Sequence, residues 1–401
     1  MKKTRDLKIF TDHIENVAMS QIELLLEQEA FKSSKVRIMP DVHAGKGCVI
    51  GFTGDLGDKV IPNIVGVDIG CGMLTIEFGK ADLDLKKLDE IINKYIPSGF
   101  KVHEGRKAKF DNLQKLKCYR ELKGVKRLER SIGTLGGGNH FIEVGIDEEG
   151  NKYLVIHTGS RNLGKQVAEY YQKLANKLCN YNYDEYKVMS EKLIADYKEQ
   201  DRKQEIKVAL KELRKKYLVK EEIIPEDLAY LEGTYRDDYL HDMKICQEFA
   251  SLNRKVIAEI ICEHINGLEM SSSFETIHNF IGEDNIVRKG AISAKKDELL
   301  LIPLNMRDGC IIGKGKGNPD WNYSAPHGAG RIMSRTKAKK VMCLEDFKKS
   351  MAGVYSTSVN ARTVDEAPSV YKSKEDITKH IGDTIEIIKT IKPIYNFKAS
   401  N

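Results

Sequence analysis

The sequence has no long apolar run. Nowhere does it approach the roughly 18 uninterrupted apolar residues that a membrane-spanning helix needs, and the lysines of the amino terminus, MKKTRDLKIFTDHIE, lead into no apolar segment of the kind an export signal carries. Neither membrane insertion nor secretion is expected. A dense cysteine framework is also missing: eight cysteines are spread over 401 residues without a single CxxC pair. That spacing predicts free thiols in a reducing, cytoplasmic setting. Charge of one sign is not in excess either. With 65 Lys and Arg against 59 Asp and Glu, the net charge of +6 is too small for whole-chain electrostatics to announce a nucleic-acid partner.

What is present is a chain 41% hydrophobic and 31% charged, enough apolar material for a sizeable core. From Val36 to Phe78, short β-rich runs (VRIMP, CVIGFT, VIPNIVGVDIG, MLTIEF) are separated by Gly, Pro and Asp. Glycine-rich turns recur at Gly133–Gly138 and Gly159–Gly164, flanking the strand-like runs HFIEVGI and YLVIHT. Between Gly164 and Gly233 there is no glycine, and Pro225 is the one proline, while Lys, Glu, Leu and Tyr recur at helical spacing. Strands are expected again at FETIHNFIG, NIVRKGAISA and ELLLIPLN, then a loop-rich stretch, a short helix over Lys374 to Lys389, and the tail IKPIYNFKASN. Because strands flank the helical segment on both sides, the expected architecture is a single α/β (α+β) domain over residues 1–401, with a helical arm inserted at 166–265.

One stretch departs from the even charge balance. Lys101 to Arg130 holds eleven Lys or Arg against four Asp or Glu, a net of +7. It reads either as a solvated helical face or as a phosphate-tracking surface.

The residues with chemical potential sit at turns and strand ends. VGVDIGCGM sets Asp68 and Cys71 three apart in a glycine-flanked turn. Singly, an Asp there is a turn residue and a Cys a small buried hydrophobe; together they offer a carboxylate and a thiol to one site. His140, His157 and His278 lie in comparable surroundings. Any one of them reads equally as a satisfied core imidazole. Imidazole, thiolate and carboxylate together suit Mn, Co or Zn rather than Ca or Mg, and five ligands exceed one tetrahedral site, which favours a shared metal pair. His327, in NYSAPHGAGR, is followed by small residues and Arg331. It reads either as a nucleophile with phosphate-binding surroundings or as the start of a helix after Pro326. Arg161 follows His157 at a similar interval, poised for anionic oxygens.

The blocks DVHAGKG, VGVDIGCGM, LGGGNHFIEV, HTGSRNLG, HNF, PHGAGRIMSR and DEAPSVYK, in that order, resemble the signature blocks of RtcB-type RNA ligases, from about Met39 to the last few residues. The resemblance implies a GTP- and Mn-dependent enzyme, using two Mn ions, that joins RNA 3′-phosphate or 2′,3′-cyclic phosphate ends to 5′-hydroxyl ends in RNA repair or tRNA splicing, through a covalent histidine–GMP intermediate. It assigns Asp68, Cys71, His140, His157 and His278 to the metals, Cys71 being shared, and His327 to guanylylation. It assigns Asn139, His140, Phe141, Ile142 and Glu143 to nucleotide binding, with Glu143 reading the guanine, and adds His278, Asn279, Pro303, Leu304, Asn305, Met306, Cys310, His327, Gly328, Ala329, Gly330 and Lys398. Arg161 and Arg331 are implied to handle RNA ends or phosphates. IPLNMRDGC departs from the family's usual run, which bears on Pro303 to Met306 and Cys310. The resemblance also allows an archease-type activating partner. A metal-dependent phosphoesterase acting on nucleic-acid ends is the alternative, needing the metal ligands but not His327.

Overall fold

The computed structural model describes residues 6–399, apart from 32, 221, 266, 267, 269 and 270. The first five residues of the amino-terminal stretch and the last two of the tail lie outside the described residues.

All the expected strand runs but one form strands of a 12-stranded mixed sheet. The exception is VIPNIVGVDIG: Lys59–Val60 pairs with Leu231–Glu232 in a separate two-stranded sheet, and Pro62, which has no amide proton to give a ladder, starts the helical turn Pro62–Val65. The order of the large sheet is Leu7–Ile9, Val36–His43, Ile50–Asp55, Ile286–Ser293, Ser272–Ile281, Gly72–Gly79, Lys152–Thr158, Phe141–Ile146, Ile385–Lys398, Gly309–Gly315 and Leu299–Asn305, and Ser324–Pro326 pairs on the side with Ile286–Ser293. The first pair is parallel and the others antiparallel. The sheet curls until its far end meets its middle: the Leu301 amide donates to the Thr276 hydroxyl at 3.0 Å. Met73, Phe141, Tyr153, Val155, Leu301, Cys310, Ile312 and Ile391 fill the fold of that curl.

The other face carries the main core and the helices. The longest helix, Gly233–His264, has 32 residues and no interior Gly or Pro, with Tyr239, Met243, Cys246, Phe249, Ala250, Val256, Ile257, Ile260 and Ile261 recurring every three or four positions on its buried side. Helix Arg161–Asn180 packs beside it, whereas Tyr183–Glu199 and Ile206–Tyr217 pair mainly with each other.

Three further expectations are corrected. The helix placed at Lys374–Lys389 ends at Ile381, and Ile385–Lys398 is a 14-residue strand. Its β-branched Ile and Thr content and its pairing on both edges outweigh the Lys and Glu that suggested a helix. The run Gly309–Gly315, taken for part of a loop, is the strand beside it. Lys101–Arg130 is not a helical face: it is loops and short 3-10 turns with one small helix, Val125–Glu129.

Candidate metal centre and its histidine

Five side chains from four separate parts of the chain meet at one edge of the curled sheet. Asp68 and Cys71 occupy the turn that enters strand Gly72–Gly79, tightened by a Cys71 amide to Asp68 carbonyl bond of 3.2 Å and by Gly70 at φ +69°. A side chain at Gly70 would strike Gln247 of the long helix, so glycine there serves both the turn and the helix contact. His140 immediately precedes strand Phe141–Ile146, His157 lies one residue before the end of Lys152–Thr158, and His278 belongs to Ser272–Ile281. The 32-residue helix holds the turns in place. Arg254, fully buried, donates to the Gly70 and Thr158 carbonyls at 3.0 and 2.8 Å, and Asn253 Oδ1 accepts from the Gly133 and Thr134 amides at 2.8 and 3.0 Å.

Two three-residue groups result, Asp68–Cys71–His140 and Cys71–His157–His278, each with its ligand atoms within 4.8 Å of one another, and Cys71 belongs to both. The Cys71 sulfur is 3.3 Å from His157 Nε2 and 3.5 Å from His140 Nε2. His140 Nδ1 donates to the Leu135 carbonyl at 2.9 Å, which leaves the neutral ring's Nε2 an acceptor facing Asp68 Oδ2, also at 2.9 Å. Two acceptors so placed call for a proton or a cation between them. Asp68 Oδ1, His157 Nδ1 and His278 Nδ1 are buried without a hydrogen-bond partner among the described residues. Buried polar atoms left unpaired are costly, and a carboxylate–thiolate–imidazole donor set is what a divalent transition metal takes. The residues fit a divalent transition metal, and Cys71 is common to both groups that could hold one.

Electrostatics agree with that reading. Burial, and the imidazoles around them, push His157 and His278 well below the ordinary histidine range, so both rings are neutral lone-pair donors. Burial opposes ionisation of Asp68, yet its contact with the His140 ring and the Arg161 charge hold its carboxyl below the usual value. Burial and the neighbouring Asp68 charge push the Cys71 thiol well above its usual value, so a bound cation has to displace its proton.

Beside the cluster opens a cavity of about 280 Å³. His327 stands in its wall, its ring 4.8 Å from that of His278. No helix begins after Pro326; the chain turns through Gly328, Ala329 and Gly330, and a Cβ at Gly330 would lie 2.3 Å from the Asp41 carbonyl oxygen. That close approach sets His327 Nδ1 at 2.6 Å from Asp41 Oδ2, and Asp41 is fully buried. Nδ1–H donates, and Nε2 keeps the free lone pair.

Farther along the cavity is Glu143, whose carboxylate accepts from Asn396 Nδ2 at 2.8 Å and from the Cys310 thiol at 3.4 Å. Burial raises its carboxyl to about 7. Lys398 closes this end, paired with buried Glu366 at 2.5 Å and set over the Phe141 ring.

Of the residues singled out in the sequence, Asn139, Phe141, Glu143, Asn279, Pro303, Leu304, Asn305, Met306, Gly328, Ala329, Gly330, Arg331 and Lys398 line the cavity with His327 and with Asp68, Cys71, His157 and His278, whereas His140 stands behind Asp68 and Cys71 and not on the wall. Ile142 does not line it either; its side chain points to the opposite face, into the main core. Cys310 lies behind Glu143 instead of on the wall. Arg161 sits outside, on the far side of Asp68, in the left-handed region at φ +56° with its guanidinium over Gly136. Arg331 is in the wall but spends its donors on the Met333 and Asp365 carbonyls and the Tyr371 hydroxyl. Sequence reasoning gave no role to Asp41, His43, Glu366, Tyr371 or Asn396. The first four lie within the quoted DVHAGKG and DEAPSVYK blocks, whereas nothing in the tail marked Asn396.

A curled sheet whose loops bring a thiol, a carboxylate and three imidazoles together beside a cavity with a carboxylate-backed histidine in its wall places the protein among metal-binding enzymes. Residues 26–123 and 114–399 match the model of the family described as tRNA-splicing ligase RtcB. The chain is 32% identical to "RNA-splicing ligase RtcB1" of one Escherichia coli strain, over 91% of this chain and 90% of that protein, and 31% identical to "RNA-splicing ligase RtcB" of strain K12 over the same shares. It is 27% identical to "tRNA-splicing ligase RtcB" of Nanoarchaeum equitans over 90% and 87%. The chain belongs to the RtcB family, and it is an RNA ligase.

Proposed function

We propose that the protein joins RNA 3′-phosphate or 2′,3′-cyclic phosphate ends to 5′-hydroxyl ends at the expense of GTP, with two Mn²⁺ ions held by Asp68, Cys71, His140, His157 and His278. The observation that carries this is His327: an imidazole oriented by a fully buried carboxylate, 4.8 Å from a residue of the cluster and opening on the cavity that ends at Glu143. A phosphoesterase has no use for that residue.

His327 Nε2 attacks the α-phosphorus of GTP, forming an N–P bond as the bond to pyrophosphate breaks, and Asp41 holds the Nδ1 proton and stabilises the charge that develops on the ring. Metal ions bound at the cluster would supply Lewis-acid screening of phosphate oxygens. The RNA 3′-phosphate oxygen then takes GMP from His327, and the 5′-hydroxyl oxygen attacks that 3′-phosphorus and expels GMP. A cyclic end is opened by water first. Glu143, flanked by Asn396 and Lys398, is suited to the guanine edge, where a carboxylate accepts from ring and exocyclic N–H groups. Arg331, in the cavity wall, would have to exchange its bonds to Met333, Asp365 and Tyr371 for phosphate oxygens, and Arg161, beyond Asp68 and outside the cavity, is assigned to the RNA end.

RNA repair or tRNA splicing in the cytoplasm fits the relatives' names, the free cysteines and the fact that no described helix is long and apolar enough to cross a membrane. An archease-type activator remains part of the proposal.

The test is incubation with Mn²⁺ and GTP labelled at the α-phosphate. Acid-labile label on the protein, lost in His327→Ala, is the expected result; an unlabelled protein that still removes terminal phosphate would establish the phosphoesterase instead.

A further inference from the structure

Phe100 is 92% exposed, the highest exposure of any large apolar residue among those described. Ten residues on, Phe110 behaves as a phenylalanine normally does, packing edge-on against Phe249 at 5.3 Å. An isolated apolar side chain on a surface needs no explanation by itself. Three features set Phe100 apart.

The first is that its backbone is pinned, so the ring is held in water by a fixed scaffold. The Gly99 amide donates to the Gly136 carbonyl at 2.8 Å, the Lys101 amide to the Ser98 carbonyl at 3.2 Å, and Arg127 to the Phe100 carbonyl itself. The second is charge. Phe100 opens the basic segment 101–130, and of its eleven cations only Arg106 and Lys109 have a carboxylate partner among the described residues. Nine are left without an internal counter-charge. The third is position. The Gly99 carbonyl accepts from Arg161 Nη2 at 3.3 Å, and the Arg161 charge acts directly on Asp68 and Cys71. One residue and one guanidinium separate the exposed ring from the metal cluster.

An aromatic ring fixed among unpaired cations is the make-up of a single-strand nucleic-acid surface, in which bases stack on rings and cations track the backbone. We propose that Phe100 is a stacking platform for a base of the RNA strand close to the end being joined, with Lys101, Lys126 and Arg127 beside it neutralising the adjoining phosphates. The inference rests on the proposed function, in that the strand end has to reach the cluster. The cationic segment is then the track along which the strand leaves.

The experiment uses the full-length, Mn-loaded protein and a single-stranded 5′-hydroxyl RNA carrying 2-aminopurine near that end. Phe100→Ala is expected to weaken RNA binding about tenfold, or about 1.4 kcal/mol, and to abolish the stacking quench of 2-aminopurine. Phe100→Trp restores both, and Phe100→Leu, equally apolar but not aromatic, restores neither. On an RNA with an abasic site at the stacked position, wild type and Phe100→Ala should bind alike. Equal affinity of wild type and Phe100→Ala for the intact RNA, or full rescue by leucine, overturns the proposal. Label transfer from GTP to the protein needs no RNA and is read separately, so loss of that adduct in the wild type counts against the proposed function, while an unchanged RNA affinity counts against Phe100 alone.

Discussion

Glu143 offers a carboxyl raised to about 7 by burial, held between the Asn396 amide and the Cys310 thiol. A guanine edge presents N–H donors, which an ionised carboxylate accepts and a protonated one does not accept fully. As pH falls through about 7 the group takes up its proton, and GTP affinity should drop by about tenfold per pH unit below that point. Glu143→Gln should bind GTP weakly and with a flat profile over the same range. A wild-type affinity that stayed constant from pH 8 to pH 6 would remove Glu143 from base recognition. Cys71 makes a second residue-scale prediction. Its thiol is pushed well above the usual range, so metal uptake has to release a proton. Calorimetric titration with Mn²⁺ in two buffers of different ionisation enthalpy should show about one proton leaving per protein that Cys71→Ala does not release.

The C-terminal strand Ile385–Lys398 shows how an element can be misread and yet carry site residues. Lys, Glu and Ile in IGDTIEIIKTIKP satisfy a helical pattern as readily as a strand, and local spacing cannot reveal that both edges find partners at least 70 residues away in sequence. Those partners decide: pairing opposite Phe141–Ile146 sets Asn396 against Glu143 and Lys398 opposite Phe141. The side chains of Asp68, Cys71, His140, His157 and His278, which the structure brings together, could be singled out because four of them stand in a glycine-rich turn or at a strand end, where the local residue types are unusual, while His278, inside strand Ser272–Ile281, could be singled out from the HNF block. Asn396 had no such mark. Lys398 and Glu366, 6% and 3% exposed, form a buried pair, and although Arg335 and the Tyr371 hydroxyl also reach the carboxylate, removing Lys398 takes away one buried counter-charge. Lys398→Met should cost about 3 kcal/mol in denaturant unfolding, and adding Glu366→Gln should recover much of it. If the single substitution is as stable as wild type, the pair does not fasten the strand end to the site.

At the scale of the whole molecule, the absence of glycine between 164 and 233 correctly signalled helices, but not their different duties. Gly233–His264 is a structural member of the candidate metal centre, since Asn253 and Arg254 hold the turns that carry its proposed ligands. Tyr183–Glu199 and Ile206–Tyr217 face mostly water: the second buries no residue, and Val188 and Val208 are 66% and 64% exposed. The hairpin they form meets the body at a narrow neck. There the Asn182 amide donates to the Leu218 carbonyl at 2.9 Å, the Lys220 amide to the Asn180 carbonyl at 3.0 Å, and Tyr181 bridges Val219. We propose that, within the 166–265 arm, the true insertion is this hairpin. Its neck is already an antiparallel pair, which a two-residue Asn-Gly turn closes without strain. Replacing 183–217 by that turn should leave the melting temperature within a few degrees of wild type, because little core is lost, and should leave guanylylation from GTP at its wild-type rate. Arg254→Leu, a single change in the neighbouring helix, should do the opposite. It unpairs the Gly70 and Thr158 carbonyls in the interior, costing on the order of 3 kcal/mol, and should lower Mn²⁺ affinity because the ligand-bearing turns lose their anchor. A hairpin deletion that fails to fold, or an Arg254→Leu protein that loads metal normally, would show that the two halves of the helical segment do not divide in this way.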